Sequence, residues 1–354
     1  VVVHGPLRIL AIESSCDETA AAVVESQGDL LRVLGESVIT QDHVHAEFGG
    51  VVPELASRAH MEKLTPAIRQ AMHAAGVGPA GLDAVAAGHR PGLIGSLLVG
   101  TSAAKAFAWS IGRPFLGVDH VQAHLAACHL DAVSPAYPAI GLVASGGHTH
   151  VLLLRDPLQA TVLARTRDDA AGEAFDKASA ILGLGWPGGP ALERMAASAT
   201  APIDFEAGRI RDSDDFSFSG LKTAMLYAVR GVPAAPGRPA KEPPPPLTPD
   251  RVADLAAGFQ RAIVRALERR LRTAADRHTP RSLLAGGGVV RNAAVRSMLR
   301  EVATSAGIAL HLAHPRHCTD NASMIGALAA LRLRAGHRDP LSMPCEPLSA
   351  LGTA

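Results

Sequence analysis

Ile9-Leu-Ala-Ile12, Glu13-Ser-Ser-Cys-Asp-Glu-Thr19 and the run from Ala20 to Glu25 form one unit: an apolar stretch, a polar turn and a second apolar stretch. The first run has the length of a buried strand, and the polar residues break it before the chain returns. The same plan recurs from Ala139 to Arg155, where an apolar run meets Ser145-Gly-Gly-His-Thr149 and then Val151-Leu-Leu-Leu154. Each unit opens a similar length of chain. Two such units predict a duplicated α/β domain, although residue identity between the halves is slight.

Helical patterns follow each unit. Ser57 to Ala75 carries apolar residues at helical spacing, and Ser96 to Ile111 reads as a buried helix of small and apolar residues. Arg251 to Ala275 is the clearest amphipathic segment, with Leu255, Phe259, Ile263, Leu267 and Leu271 every fourth residue. Arg269, Arg270 and Arg272 lie off that stripe and read as a solvated face. Leu283-Leu-Ala285 is a short strand running into Gly286-Gly-Gly288, and Asn321 to Leu333 is a last helix. Val232 to Pro249 holds eight prolines, so it is neither helix nor central strand and reads as a surface loop. The residues after Leu341 read as a loose tail.

The 354 residues suffice for two domains, and 47% hydrophobic residues make the chain globular rather than disordered. A net charge of +1 gives no global basic field for nucleic acid. The four cysteines form no C-x-x-C pair, so a reducing compartment is expected, with Cys16 and Cys318 as small buried residues. No signal-peptide pattern and no run near ~20 apolar residues is found. The expectation is a soluble cytoplasmic protein that engages no membrane.

His120 and His124 fall on one helical face, since i and i+4 are neighbours. With Asp320 they make two imidazoles and a carboxylate, a set suited to one divalent metal, Zn, Fe or Mn, with positions left for substrate. Asp320 also stands where a helix N-cap would, and His129, His148 and His150 are nearby alternative ligands. The glutamate of H-E-x-x-H is missing. Ser145-Gly-Gly-His-Thr149 is either a tight hairpin or a turn whose backbone N–H groups meet an anion. Gly286-Gly-Gly-Val-Val-Arg-Asn292 lies between strand and helix, a context that suits a nucleotide with Asn292 hydrogen-bonding it. Trp186-Pro-Gly-Gly-Pro190 is another glycine turn. Asp176 either accepts from a ribose hydroxyl or pairs with Lys177. Asp17 and Glu18 lie in the first polar turn, where they are either solvated, or order a metal-bound water or orient a nucleophile.

Taken in order, these blocks resemble one family over nearly the whole chain, from about Ile9 to Leu333. They are Ile12-Glu-Ser-Ser-Cys-Asp-Glu-Thr19, Gly49-Gly-Val-Val-Pro-Glu-Leu-Ala-Ser-Arg58, Pro91-Gly-Leu-Ile-Gly-Ser96 and the His120/His124 pair. Then come Ser145-Gly-Gly-His-Thr149, Ala171-Gly-Glu-Ala-Phe-Asp-Lys177, Pro187-Gly-Gly-Pro190, Phe216-Ser-Phe-Ser-Gly-Leu-Lys-Thr223, Gly286-Gly-Gly-Val289 with Asn292, and Cys318-Thr-Asp-Asn321. The chain resembles the TsaD family, the tRNA N6-adenosine threonylcarbamoyltransferases once called O-sialoglycoprotein endopeptidases.

The resemblance implies an actin-like ATPase architecture: two ribonuclease-H-like domains with the ligand in the cleft between them. Residues 7–130, completed by the helix 321–335, would form the first, and 131–320, with the proline-rich loop 232–249, the second. It further implies that His120, His124 and Asp320 hold one divalent metal per subunit. Val143, Ala144, Ser145, Gly146, Gly147, Asp176, Gly189 and Asn292 would bind the adenylate of threonylcarbamoyl-AMP. The acceptor would be the exocyclic amine of adenosine 37 in tRNAs reading codons that begin with A. Asp17 or Glu18 is the candidate for taking the amine proton. A TsaB-like paralogue and a TsaE-like ATPase are the implied partners, with a TsaC-type synthase supplying the intermediate. The chemistry is reasonable, because a mixed anhydride has a good leaving group and the enzyme supplies mainly alignment and charge stabilisation.

Three departures stand out: Arg90 where the family usually has glycine, a longer proline-rich stretch, and Gly258 where the family tends to have serine. If the backbone at 90 needs positive φ, arginine is strained there. The competing functions are a metallopeptidase, a carbamoyltransferase acting on a small metabolite, and a non-catalytic nucleotide-binding scaffold.

Overall fold

A computed structural model describes residues 5–41, 45, 48, 50–233 and 244–352. In the first half, β1 (Leu7–Glu13), β2 (Thr19–Gln27) and β3 (Leu30–Ile39) form an antiparallel meander. To its β1 edge are added β4 (Ala84–Arg90) and β5 (Phe115–Asp119), both parallel, giving the order β3-β2-β1-β4-β5. In the second half β6 (Ala139–Ala144), β7 (Thr149–Leu154) and β8 (Ala160–Arg165) repeat the meander. A small ribbon, β9 (Gly208–Arg209) with β10 (Phe216–Ser217), stands apart. Then β11 (Ser282–Gly286) and β12 (Ala309–Leu312) add in parallel beside β6. The resulting order, β8-β7-β6-β11-β12, matches the first sheet strand for strand. Two α/β sheets of this order are the actin-like ATPase architecture.

The central strands explain the uninterrupted apolar runs. Ile9, Leu10, Ala11 and Ile12 are all fully buried because both faces of the sheet are covered, so no polar alternation survives. Residue parity separates the faces. Leu10 and Ile12 pack under α1 (Pro53–Ala75) and α2 (Ile94–Ser110). Ile9 and Ala11 face the opposite way, into a core shared with Ala139 and Val143 of the second sheet. Helix α3 (His120–Ala126) contributes to that shared core. The outer face of the second sheet is covered by α4 (Ala171–Leu182), α5 (Gly188–Ala196), α6 (Ser219–Arg230), α7 (Pro249–His278) and α8 (Ala293–Ala306). The last helix, α9 (Ala322–Arg334), returns to pack on the first sheet and α3.

Several expectations change in detail. Helix α1 begins at Pro53, whose fixed φ suits the first helical turn, rather than at Ser57. Helix α2 is buried on one side only; Leu98 is 50% and Trp109 76% exposed. Trp186-Pro-Gly-Gly-Pro190 opens α5 instead of closing a simple turn. Arg270 is not solvated: it reaches Asp214 at 2.7 Å and the carbonyls of Ser213 and Asp215, pinning the loop before β10. Of the proline-rich stretch, residues 234–243 lie outside the described residues.

The residues after Leu341 are not loose. Glu346 N donates to the His89 carbonyl at 3.0 Å, and His89 Nδ1 lies 3.1 Å from the Pro344 carbonyl. Ser349 Oγ donates to Asp119 at 2.7 Å. Val162 N, on the edge strand of the second sheet, donates to the Gly352 carbonyl at 2.8 Å. The segment therefore runs from the edge of one sheet to the edge of the other.

Gly258 also has a packing reason. A Cβ at this buried position in α7 would fall on the carbonyl oxygen of Ile203, whose N–H donates to the Asp254 carbonyl in the same helix. We expect Gly258→Ser to destabilise the fold by about 1–3 kcal/mol through overpacking. A denaturant midpoint unchanged from wild type would show that the Ile203 segment yields without strain.

Candidate metal centre and glycine cradle

Strand β5 runs directly into α3. Asp119 makes the transition: its Oδ1 accepts from the N–H groups of Val121 and Gln122 at 3.1 and 3.2 Å, capping the helix. The next residue is His120, and His124 follows one turn later; they are 2% and 0% exposed. Asp320 arrives from the far end of the chain, just before α9. Asn321, not Asp320, caps α9, with Oδ1 accepting from Met324 N at 2.9 Å. The carboxylate of Asp320 is thereby free for another task.

Asp320 Oδ1 lies 3.4 Å from His120 Nε2 and 3.3 Å from His124 Nε2. Ligand atoms of the three residues all fall within 4.8 Å of one another, the one such grouping among the described residues. Both ring nitrogens of His124 are buried without a hydrogen-bond partner, so the contact to Asp320 is close but not aligned. Unpaired buried imidazole nitrogens facing a carboxylate fit a divalent metal. The Asp320 side chain keeps 20% exposure, which leaves the set open on one side.

The electrostatics follow from this packing. Burial alone would lower the His120 pKa, but the Asp320 and Glu13 carboxylates outweigh it and hold the imidazole well above its ordinary value. Burial keeps His124 below the usual imidazole range. Burial opposes ionisation of Asp320 as well, yet the two imidazoles hold its carboxyl well below the usual carboxylate range.

Glu13 is the residue beside His120 that sequence reasoning passed over in favour of Asp17 and Glu18. It ends β1, is fully buried, and its Oε2 lies 3.1 Å from His120 Nδ1. Ser15 Oγ meets the same nitrogen at 3.1 Å. A carboxylate on Nδ1 would leave Nε2 as the nitrogen available to a metal. The signal was there: a charged residue at the end of a fully apolar strand must find a buried partner. Asp17 and Glu18 themselves sit in a half-buried turn. His60 of α1 holds that turn, meeting Thr19 Oγ1 at 2.8 Å and the Cys16 carbonyl at 3.1 Å. Burial first, then the carboxylates of Asp17, Asp320 and Glu18, push the Cys16 thiol well up, so the turn borders the metal set.

The alternative histidines stand outside the three-residue set. His129 Nε2 is 2.8 Å from Tyr137 Oη. The His148 ring lies 5.8 Å from that of His120, and His150 a further 5.8 Å on. His148 thus brings the Ser145–Thr149 turn beside the metal set. That turn closes with Ser145 N donating to the His148 carbonyl at 2.8 Å, and Gly172 N donating to the Ser145 carbonyl at 3.1 Å.

The glycines divide by what stands next to them. Gly146 and Gly147 do not have left-handed φ, and a Cβ on either would meet nothing. What these two glycines provide is open space against which a ligand can lie. Gly189 and Gly288 are equally open. Gly286 and Gly287 instead serve close backbone approach: a Cβ would strike the carbonyls of His124 and Ala144 respectively. Gly286 thus lets the second sheet close on α3, while Gly287 lets the turn after β11 close on β6.

Asp176 does not pair with Lys177, which reaches Asp169 and Glu173 at 2.7 and 2.9 Å. Its carboxylate accepts from Gly188 N at 3.0 Å. Burial raises its pKa to about 6, against the opposing hydrogen bonds from Gly188 and Gly189. Asn292 Oδ1 caps α8 through Ala294 and Val295, and its Nδ2 donates to Gln260 Oε1 at 2.7 Å. One side-chain N–H remains for a ligand. Arg90 is unstrained, since its φ is not positive; it pairs with Glu346 at 2.9 Å and stands 3.4 Å from Asp119.

The family model for TsaD, tRNA N6-adenosine threonylcarbamoyltransferase, matches residues 32–327. The chain belongs to the TsaD family. It is 45% identical over 345 residues to the tRNA N6-adenosine threonylcarbamoyltransferase of Anaeromyxobacter dehalogenans (strain 2CP-C), covering 96% of this chain and 98% of that protein. The Symbiobacterium thermophilum relative of the same name is 44% identical, covering 97% of each chain. Among solved structures, T. kodakarensis HypF superposes with a TM-score of 0.61 at 16% identity, over 94% of this chain and 50% of that one. Component A of the Acidaminococcus fermentans (R)-2-hydroxyglutaryl-CoA dehydratase gives 0.50 at 13% identity, over 93% and 99%. These last two likenesses establish the fold. Family membership makes the protein a tRNA-modifying transferase.

Two outcomes are expected from this geometry. Glu13→Gln keeps the shape but removes the charge on His120 Nδ1, and should weaken metal binding about tenfold or more; equal affinity by metal titration would remove Glu13 from the site. Asp176 has its folded-state pKa above the unfolded one. The stability it contributes is present below the ordinary carboxylate pKa and is lost as pH rises through about 6. The melting temperature of Asp176→Asn relative to wild type should therefore rise across that interval, and a pH-independent difference would contradict the assignment.

Proposed function

We propose that this transferase moves the threonylcarbamoyl group from threonylcarbamoyl-AMP to the exocyclic amine of adenosine 37, in tRNAs reading codons that begin with A. The single observation carrying the proposal is the position of the His120–His124–Asp320 set beside an open glycine turn, with the His148 ring 5.8 Å from His120. A metal centre next to the open backbone of Gly146 and Gly147 suits an acyl phosphate.

His120, His124 and Asp320 would hold one divalent ion, Fe, Zn or Mn, which when bound supplies Lewis-acid polarisation and a template. Gly146 and Gly147 would receive the phosphate and the charge developing on departing AMP, with Val143, Ala144 and Ser145 forming the backbone that carries them. Asp176 would accept from the ribose through the carboxylate oxygens that the Gly188–Gly189 turn leaves available. Gly189 leaves room for the nucleoside, and Asn292 offers its remaining N–H. Asp17 or Glu18, in the turn bordering the metal set, would take the proton from the attacking amine.

In this reading residues 7–130 with 321–335 act as one domain, 131–320 act as the other, and the ligand occupies the cleft between them. The partners are tRNA, a TsaB-like paralogue, a TsaE-like ATPase and a TsaC-type synthase. A protein partner is supported by the apolar side chains that α1 and α2 leave exposed, Met61, Ile94, Leu98 and Trp109. The described residues contain no helix long and apolar enough to cross a membrane, and we place the reaction in the cytoplasm, where tRNA is.

Mass spectrometry of nucleosides from tRNA incubated with the protein, its partners and threonylcarbamoyl-AMP tests the reaction. Wild type should yield threonylcarbamoyladenosine. The double variant His120→Ala/His124→Ala should lose bound metal and at least about 100-fold of the rate. Full metal content in the folded double variant would refute the ligand set, and unmodified tRNA with wild type would refute the acceptor.

A further inference from the structure

Asp119 has two carboxylate oxygens with different tasks. One caps α3, the helix that carries His120 and His124. The other receives Ser349 Oγ at 2.7 Å and stands 3.4 Å from Arg90 Nε. Arg90 Nη1 in turn donates to Glu346 Oε2 at 2.9 Å. Arg90 ends β4 exactly opposite Asp119, at a bulge where the pairing register shifts between Gly88 and Arg90. Its side chain is 27% exposed and that of Asp119 6%, so the charges meet where solvent screens them poorly.

The partners of Arg90 on the other side belong to the C-terminal segment, which is anchored at both ends. Asp339 N donates to the Phe115 carbonyl at 3.1 Å, at the edge of the first sheet. Gly352 accepts from Val162 on the edge of the second sheet at 2.8 Å. Between these anchors, Glu346 and Ser349 converge on the Arg90–Asp119 pair. A helix cap held by a strap that spans two sheets fixes the first turn of α3, and with it the direction of His120.

We propose that Arg90 is a positioning residue for the metal centre, coupling the C-terminal segment 344–352 to α3 through Asp119. The inference rests on the metal reading of His120, His124 and Asp320. Loss of the guanidinium leaves Asp119 a buried carboxylate with a weaker hold on its place, and frees Glu346. The imidazoles then lose orientation without losing any direct ligand.

The test is a zinc titration of purified full-length wild type, Arg90→Gln, Arg90→Lys and Glu346→Gln, together with hydrogen exchange of the amides of Glu346 and Val162. Arg90→Gln should bind zinc about tenfold more weakly, the low end of what loss of an outer partner costs. The same variant should exchange the Glu346 and Val162 amides faster. Arg90→Lys should recover part of the zinc affinity. Glu346→Gln changes an accessible side chain and leaves β4 untouched, so it tests the coupling even if Arg90→Gln fails to fold. It should shift both readouts in the same direction. Faster exchange with zinc affinity within twofold of wild type, in either variant, would make the contact a mere staple of the tail and overturn the proposal. Wild type that binds no zinc, iron or manganese would sink the metal reading and this inference together.

Discussion

Helix α3 carries two imidazoles into the buried interior, and what surrounds it answers that burden. A buried polar atom left unpaired costs about 1–3 kcal/mol. His124 has two such atoms, while His120 is met on both sides by carboxylates. The helix itself is short, seven residues, too short to hold its place by its own hydrogen bonds. Its position is imposed from outside. Asp119 caps it, and Glu13 reaches it from β1. Asp320 reaches it from the start of α9, and Gly286 lets the second sheet come up against its backbone.

Each of these supports belongs to a different part of the chain, and each is placed by the duplicated topology. In both halves the central strand ends, at its C-terminus, in a polar turn. In the first half that turn supplies Glu13 and Ser15 to His120. In the second it supplies the open glycines and His148. The repeat therefore does more than build two cores. It brings two turns of equivalent origin to one place, one charged and one stripped of side chains.

The glycine-rich blocks show how a motif can hold unlike tasks. Gly286 and Gly287 are required because backbone passes against backbone, so a substitution would act on α3 at Gly286 and on β6 at Gly287. Gly146, Gly147, Gly189 and Gly288 face open space, so a side chain added there would disturb no packing. Asn292 combines both sorts, since its carbonyl oxygen is committed to the cap of α8 while one N–H remains.

Much of this was legible in the chain as written. Local pattern sufficed for the paired strand–turn–strand units, the amphipathic helix over 251–275 and the i, i+4 histidines, because each depends on residues a few positions apart. The block order sufficed for the family. Contacts across long separations were not legible. The pairing of Glu13 with His120, the partition of the glycines and the replacement of Asp320 by Asn321 as the helix cap all depend on which backbone lies beside which. The tail is the clearest case. Its sequence has neither periodicity nor strong propensity, so by itself it reads as loose. Only the edges of two finished sheets, together with Arg90 and Asp119, offer the partners that order it. A sequence determines elements through local periodicity. Which buried charge meets which imidazole is decided when the sheets close on one another, since only then are distant residues within reach.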